Sequence, residues 1–162
     1  MTESSARDHI VEICEADFDQ GEIYSQLLQA APGQAGAVVT FVGLVRDHFK
    51  SSTNAREAVD SLTLEHYPGM TEGSIQRIVA QACERWPLLA SHVVHRVGEL
   101  RAQDQIVLVA VSSAHRAAAF AAAEFIMDYL KTDAIFWKKE VRGDEVHWIE
   151  STSEDLERQK HW

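Results

Sequence analysis

The chain has 162 residues, 46% of them hydrophobic, and carries 25 acidic against 15 basic residues for a net charge of −10. That is enough chain for one core, and the single-domain reading covers 1–162. The charge argues against a nucleic-acid partner, whose phosphate backbone demands a basic face. No apolar run reaches the ~18–20 residues of a membrane span. The N-terminus lacks a signal pattern, and Cys14 and Cys83 form no CxxC pair, so a cytoplasmic protein with reduced thiols is expected.

In chain order, HIVEICEAD (9–17) reads as a first strand, and DFDQGEIYSQLLQA as a helix whose apolar positions are Ile23, Leu27 and Leu28. APGQAG is a turn. AVVTFVGLVR (37–46) is a strand in which Gly43 suggests a bulge or a close backbone approach. The polar stretch 47–60 lacks periodicity and reads as a mobile loop with Arg46 at its hinge. SLTLEHY (61–67) alternates, PGM turns, and Thr71 is the expected N-cap of a helix through Trp86. Strands follow at SHVVHRVG (91–98) and QIVLVAVSS (105–113), then a helix over 115–131. AIFWKKEV (134–141), an RGDE turn and VHWIES (146–151) form a hairpin. The charged last ten residues read as a short helix or a loose tail. Mixed elements without a strict βαβ rhythm indicate an α+β domain with a largely antiparallel sheet and packed helices.

The segment 114–140 concentrates the chemistry. On the helix, Arg116, Phe120, Ala123, Met127 and Lys131 fall within about 80° of one another, with Glu124 and Asp128 on the adjoining edge. A lysine at a helix C-terminus has a purely structural explanation, the macrodipole and a pairing to Asp128 at i−3. His115 and Arg116 at the N-terminus oppose the macrodipole and suit an anionic ligand. Fifteen residues of helix separate Arg116 from Lys131 by roughly 22 Å. Both can serve one small ligand only if two copies of the chain combine, so dimerisation follows from any scheme that uses both.

In the next strand, period two sets Ala134, Phe136, Lys138 and Glu140 against Ile135, Trp137, Lys139 and Val141. One of Lys138 and Lys139 must face the more buried side. There desolvation would lower its pKa and make it a usable acid or base, unless its stem snorkels to solvent. His92 and His95, three apart on a strand, point to opposite faces and cannot share a metal. No HExxH, cysteine cluster, GxGxxG or P-loop is present, so neither a metal nor an organic cofactor is expected.

Several unbroken segments carry a more specific message: TFVGLVR (40–46), LTLEHYPGMTE (62–72), RWPL (85–88), HRVGEL (95–100), SSAHRAAAF (112–120) and FIMDYLKTDAIFWKKE (125–140). In order, over about 36–150, they closely resemble the MoaE family, the large catalytic subunits of molybdopterin synthase. The resemblance implies an α/β hammerhead-like fold and a sulfur transfer. Sulfur would come from the C-terminal Gly-Gly thiocarboxylate of a small ubiquitin-like partner and pass to cyclic pyranopterin monophosphate, forming the dithiolene of molybdopterin. It also implies a homodimer of large subunits within a heterotetramer. By the same resemblance, Lys131 and Lys138 match catalytic lysines. Arg46, His115 and Arg116 match residues that bind substrate and phosphate, the His-Arg pair crossing the dimer. Phe41 and Met127 match pocket wall, with Lys139 and Glu140 as neighbours. Some members carry an arginine where this chain has Ser151-Thr152; if that cation binds phosphate, another residue such as Arg142 must replace it, or substrate binding is weaker. The rival reading is a docking module that binds a Gly-Gly tail without chemistry, in which the lysines are dispensable.

Overall fold

The structure, a computed structural model, describes residues 8–50, 56–58, 61–134 and 136–162. Its centre is a four-stranded sheet in the order β1 (His9–Cys14), β6 (Leu88–Arg96), β8 (Gln105–Ser113), β2 (Ala37–Leu44). Only β1 and β6 run parallel; the other pairs are antiparallel. The central strands are apolar on both faces, because both faces are covered. Val107, Val109 and Val111 of β8 enter a core with α2 (Met70–Arg85) and α3 (Arg116–Leu130), while Leu108 and Ala110 meet α1 (Gln20–Ala30) on the other side.

A second, wholly antiparallel sheet has the order β10 (Glu145–Ile149), β9 (Phe136–Arg142), β5 (Ser61–His66), β7 (Gly98–Leu100). Val45, Leu64, Val97 and Leu100 form its own small core, against which Phe136 packs. The expected hairpin is therefore present, closed by Gly143 at φ 58°. No helix among the described residues is long and apolar enough to cross a membrane.

The α+β, mostly antiparallel reading matches this architecture, and four local details differ from or sharpen it. Helix α2 starts at Met70 rather than after Thr71, because the Pro68-Gly69 turn already bends the chain. Gly69, at φ 83°, is the N-cap, and its N–H donates to the Glu72 carboxylate at 2.6 Å. Thr71 lies buried in the first turn, where its hydroxyl accepts from the Tyr67 N–H at 2.9 Å. Within the polar stretch 47–60, β3 (His48–Lys50) pairs antiparallel with β4 (Arg56–Ala58), so backbone hydrogen bonding overrides the missing periodicity. The rest of that expected loop, 51–55 and 59–60, lies outside the described residues.

Gly43 does mark an irregularity, with the β2–β8 register shifting between Gly43 and Leu44. A Cβ there would lie 2.7 Å from Val107 Cγ1, so only glycine lets the strands approach this closely. The charged end of the chain is a helix, α4 (Ser153–Lys160), whose N-cap Thr152 accepts from the Asp155 N–H at 3.1 Å.

Candidate active site

Helix α3 ends at Leu130, and its C-cap Lys131 meets the start of β9. There a cavity of about 330 Å³ is lined by Lys131, Thr132, Phe136, Trp137, Lys138 and Trp148, among others. The structure thus brings the two expected lysines to one cavity from a helix end and a strand. Lys131 is exposed, Lys138 half-buried. Neither has an ion pair or side-chain hydrogen bond among the described residues. Asp128, the partner that would make Lys131 merely structural, is taken by other groups. It accepts from Arg158 Nε at 3.0 Å and from the Trp162 indole N–H at 2.7 Å.

Of the two strand lysines, Lys138 takes the inner face with Phe136 and Glu140, and Lys139 the outer face with the half-exposed Trp137. Burial pushes the Lys138 ammonium from its ordinary 10.5 down to about 8, and the nearby charge of Lys131 pushes in the same direction, against a weaker pull from Asp155. A lysine so placed is neutral in about a tenth of molecules at pH 7, far more than an exposed lysine, and can then accept a proton.

Beneath the lysines lies His95, whose role the sequence did not signal. Its ring stacks on Phe136 with centroids 4.0 Å apart. Its Nδ1 lies 2.8 Å from the Arg96 carbonyl, which can only accept, so the proton sits on Nδ1. Burial lowers its pKa to about 4, and the charges of Lys138 and Lys131 add to that effect. The imidazole therefore stays neutral and adds no third cation. Strand parity gave its face correctly; its contact with Phe136 is between distant segments, which no local pattern reveals. Ser151 was also unforeseen: its hydroxyl donates to the Lys131 carbonyl at 2.7 Å.

A second, shallower groove of about 470 Å³ shares Lys131 and is lined by Phe41, Phe120, Met127, Asp155 and Arg158. Phe41 and Met127 are thus wall residues, at the edge strand β2 and on α3. Arg46 is exposed just beyond β2 and borders neither cavity. His115 and Arg116 are exposed at the opposite end of α3, where His115 is an N-cap without a side-chain cap bond. The helix length keeps them roughly 22 Å from Lys131 within one chain. Glu140 is fully buried and accepts from Arg142 Nη2 at 2.9 Å. Arg142, the candidate substitute for the missing arginine, is therefore committed to a carboxylate, and Thr152 serves as the cap of α4.

The fold and site define a class: an α+β protein with paired lysines at a cavity mouth, equipped for anion binding and proton transfer. Comparison with known proteins specifies it. The model of the MoaE protein family matches residues 13–133. A molybdopterin synthase catalytic subunit from Vibrio cholerae is 53% identical over 155 residues, covering 96% of this chain and 99% of that protein. Among solved structures, the molybdopterin cofactor biosynthesis protein E of Burkholderia multivorans superposes with a TM-score of 0.78 at 44% identity, covering 95% of this chain and 96% of that one. Molybdopterin synthase from Staphylococcus aureus gives 0.75 at 31%, covering 85% and 95%. The chain belongs to the MoaE family.

Proposed function

We propose that this chain is the catalytic subunit of a molybdopterin synthase, a sulfurtransferase that acts as one domain in the cytoplasm. Its small ubiquitin-like partner delivers sulfur as a C-terminal Gly-Gly thiocarboxylate. The acceptor is cyclic pyranopterin monophosphate, and the product carries the dithiolene of molybdopterin. The observation that carries the reading is the meeting of Lys131 and Lys138 at one cavity, with Lys138 depressed to about 8.

The dithiolene needs two sulfurs, so two thiocarboxylates act in turn: each sulfur forms a C–S bond to the pterin side chain as a C–O bond breaks, and the departing oxygen carries negative charge until it is protonated. Lys131, positively charged and exposed at the mouth, stabilises that charge and holds the incoming carboxyl end. Lys138, readily interconverted between its two forms, moves the protons needed for oxygen departure and for hydrolysis of the acyl link to the carrier. Phe41 and Met127 wall the approach, with Glu140 and Lys139 as structural neighbours. Arg46, His115 and Arg116 bind substrate and its phosphate.

The 22 Å between Arg116 and Lys131 makes a homodimer part of this reading, in which His115 and Arg116 come from the twin. An isologous pairing of two antiparallel α3 helices brings one helix's start beside the other's end. The exposed Phe120 and the small alanines of α3 permit such an approach.

The test is turnover with thiocarboxylated carrier and cyclic pterin, comparing wild type with Lys131→Ala. Product from wild type and at least ~10²-fold less from the folded variant is expected. Equal product from both would discard Lys131 as catalytic. A wild type that binds carrier without forming product would leave a docking module.

A further inference from the structure

Lys131 stands among carboxylates, yet among the described residues it is paired with none of them. Glu124, Asp128 and Asp155 all line the groove that it shares. Asp128 sits one turn back on α3 at i−3, a spacing at which a lysine and a carboxylate ordinarily meet. Each of the three is engaged elsewhere. Asp155 completes the N-cap of α4, its carboxylate accepting from the Thr152 N–H at 3.1 Å. Glu124 accepts from Arg158 Nη2 at 2.7 Å. Asp128 accepts from Arg158 Nε at 3.0 Å on one oxygen and from the Trp162 indole on the other. One guanidinium, projected from α4, thus forks across two carboxylates one helical turn apart on α3. A lysine at that position could not fix both, because its ammonium is a point charge without a planar fork.

We infer that Arg158 is a positioning residue, which withdraws Asp128 and Glu124 from Lys131 and so leaves that ammonium free for the incoming anion. The inference rests on the function proposed above. The Asp128 side chain is only 9% exposed, against 54% for Glu124. Water can satisfy Glu124, but a carboxylate as enclosed as Asp128 demands a cation within hydrogen-bond reach. Trp162 supplies a neutral N–H and no charge. With Arg158 gone, the one cation within a turn of Asp128 on the same helix segment is Lys131. Lys131 then swings to Asp128, and its charge leaves the cavity it shares with Lys138. Two losses follow. The mouth loses the cation that meets the substrate, and Lys138 loses a charge that depresses its pKa. No other group around Lys138 replaces that charge. His95 of β6 is neutral, Asp155 of α4 and Glu150 beyond β10 are acidic, and Glu140 on its own strand is held by Arg142.

The experiment is suppression of one substitution by another. Arg158→Gln, checked for native thermal unfolding, should lose about tenfold in turnover as the largely buried carboxylate takes a new partner. The midpoint of its pH profile should rise above the wild-type value of about 8. Removing the competing charge as well should undo both effects. Asp128→Asn/Arg158→Gln should match Asp128→Asn alone, because an asparagine oxygen still accepts from Trp162. A crystal structure of Arg158→Gln should place Lys131 Nζ within about 4 Å of the Asp128 carboxylate. If Arg158 only docks α4, the second substitution loosens the helix further and recovers nothing, and that result overturns the proposal. So does turnover equal to wild type in Arg158→Gln, or a crystal of that variant in which Lys131 still lines the cavity with Lys138. If the wild type itself forms no product, the functional reading fails, and the crystal still decides whether Arg158 keeps Lys131 free.

Discussion

Lys138 holds its lowered pKa at a cost to the fold. Its folded pKa, about 8, lies below the 10.5 of an exposed lysine. Between those values the unfolded chain binds a proton that the folded chain refuses, so stability rises with pH across that window and the full penalty stands below it. Replacing the ammonium by an apolar side chain of similar length removes the penalty. Lys138→Met should be more stable than wild type by up to about 3 kcal/mol at pH 7, with the gap closing towards pH 10.5 in urea titrations. The same variant should lose turnover. In the wild type, turnover limited by the neutral amine should climb through pH 8 and level off above it. A flat profile, or a variant no more stable than wild type, would return Lys138 to the role of a solvated surface lysine.

At the level of elements, α4 is the part that least resembles its sequence. Seven polar residues and one leucine, none of them buried, read equally as a helix or a tail, because local propensity is balanced there. What fixes the helix is remote. Arg158 bonds Asp128 and Glu124, Gln159 bonds Asp133, and Trp162 packs edge-on against Trp86 and Phe125 at 5.6 and 5.7 Å. Trp162→Ala should therefore cost about 2 kcal/mol of stability, less than a fully buried tryptophan, read from the urea midpoint; a loss below about 0.5 would mean the end of the chain is not docked. The contrast with β8 and β9 explains what was legible. Apolar run length, strand parity and the Gly43 signal all lie within a few residues, so they reveal the sheets and show that Lys138 and Lys139 point to opposite faces, without saying which faces inward. The stacking of His95 on Phe136, the capture of Asp128 by Arg158 and the burial of Glu140 with Arg142 depend on segments brought together only by folding. The catalytic roles of Lys131 and Lys138 and the role of Arg46 came from family likeness, whereas the His-Arg pair already stood out as cations at a helix N-terminus.

For the whole molecule, the length of α3 dictates how sites are counted. If each site takes Lys131 from one subunit and Arg116 from the other, Lys131→Ala and Arg116→Ala are inactive as separate homodimers but complementary when mixed. A mixed dimer then holds one intact site and one doubly defective site. Random reassortment in equal amounts should restore about a quarter of wild-type turnover, because half the dimers are mixed and each has one working site of two. Sites contained within single subunits would show no recovery, and that result would remove the twin from the mechanism.

The exposed Tyr67, Trp137 and Trp148, whose rings meet edge-on beside the lysine cavity, also govern how the chain behaves alone. Indole and phenol rings left in water attract like surfaces as readily as a proper partner. What keeps free copies apart is their shared charge of −10, a long-range repulsion that salt weakens. Near the isoelectric point, about 5.2, that repulsion disappears while the rings remain. Mild acid thus removes the repulsion that holds copies apart while leaving the exposed rings in place, so solubility should be lowest near that pH.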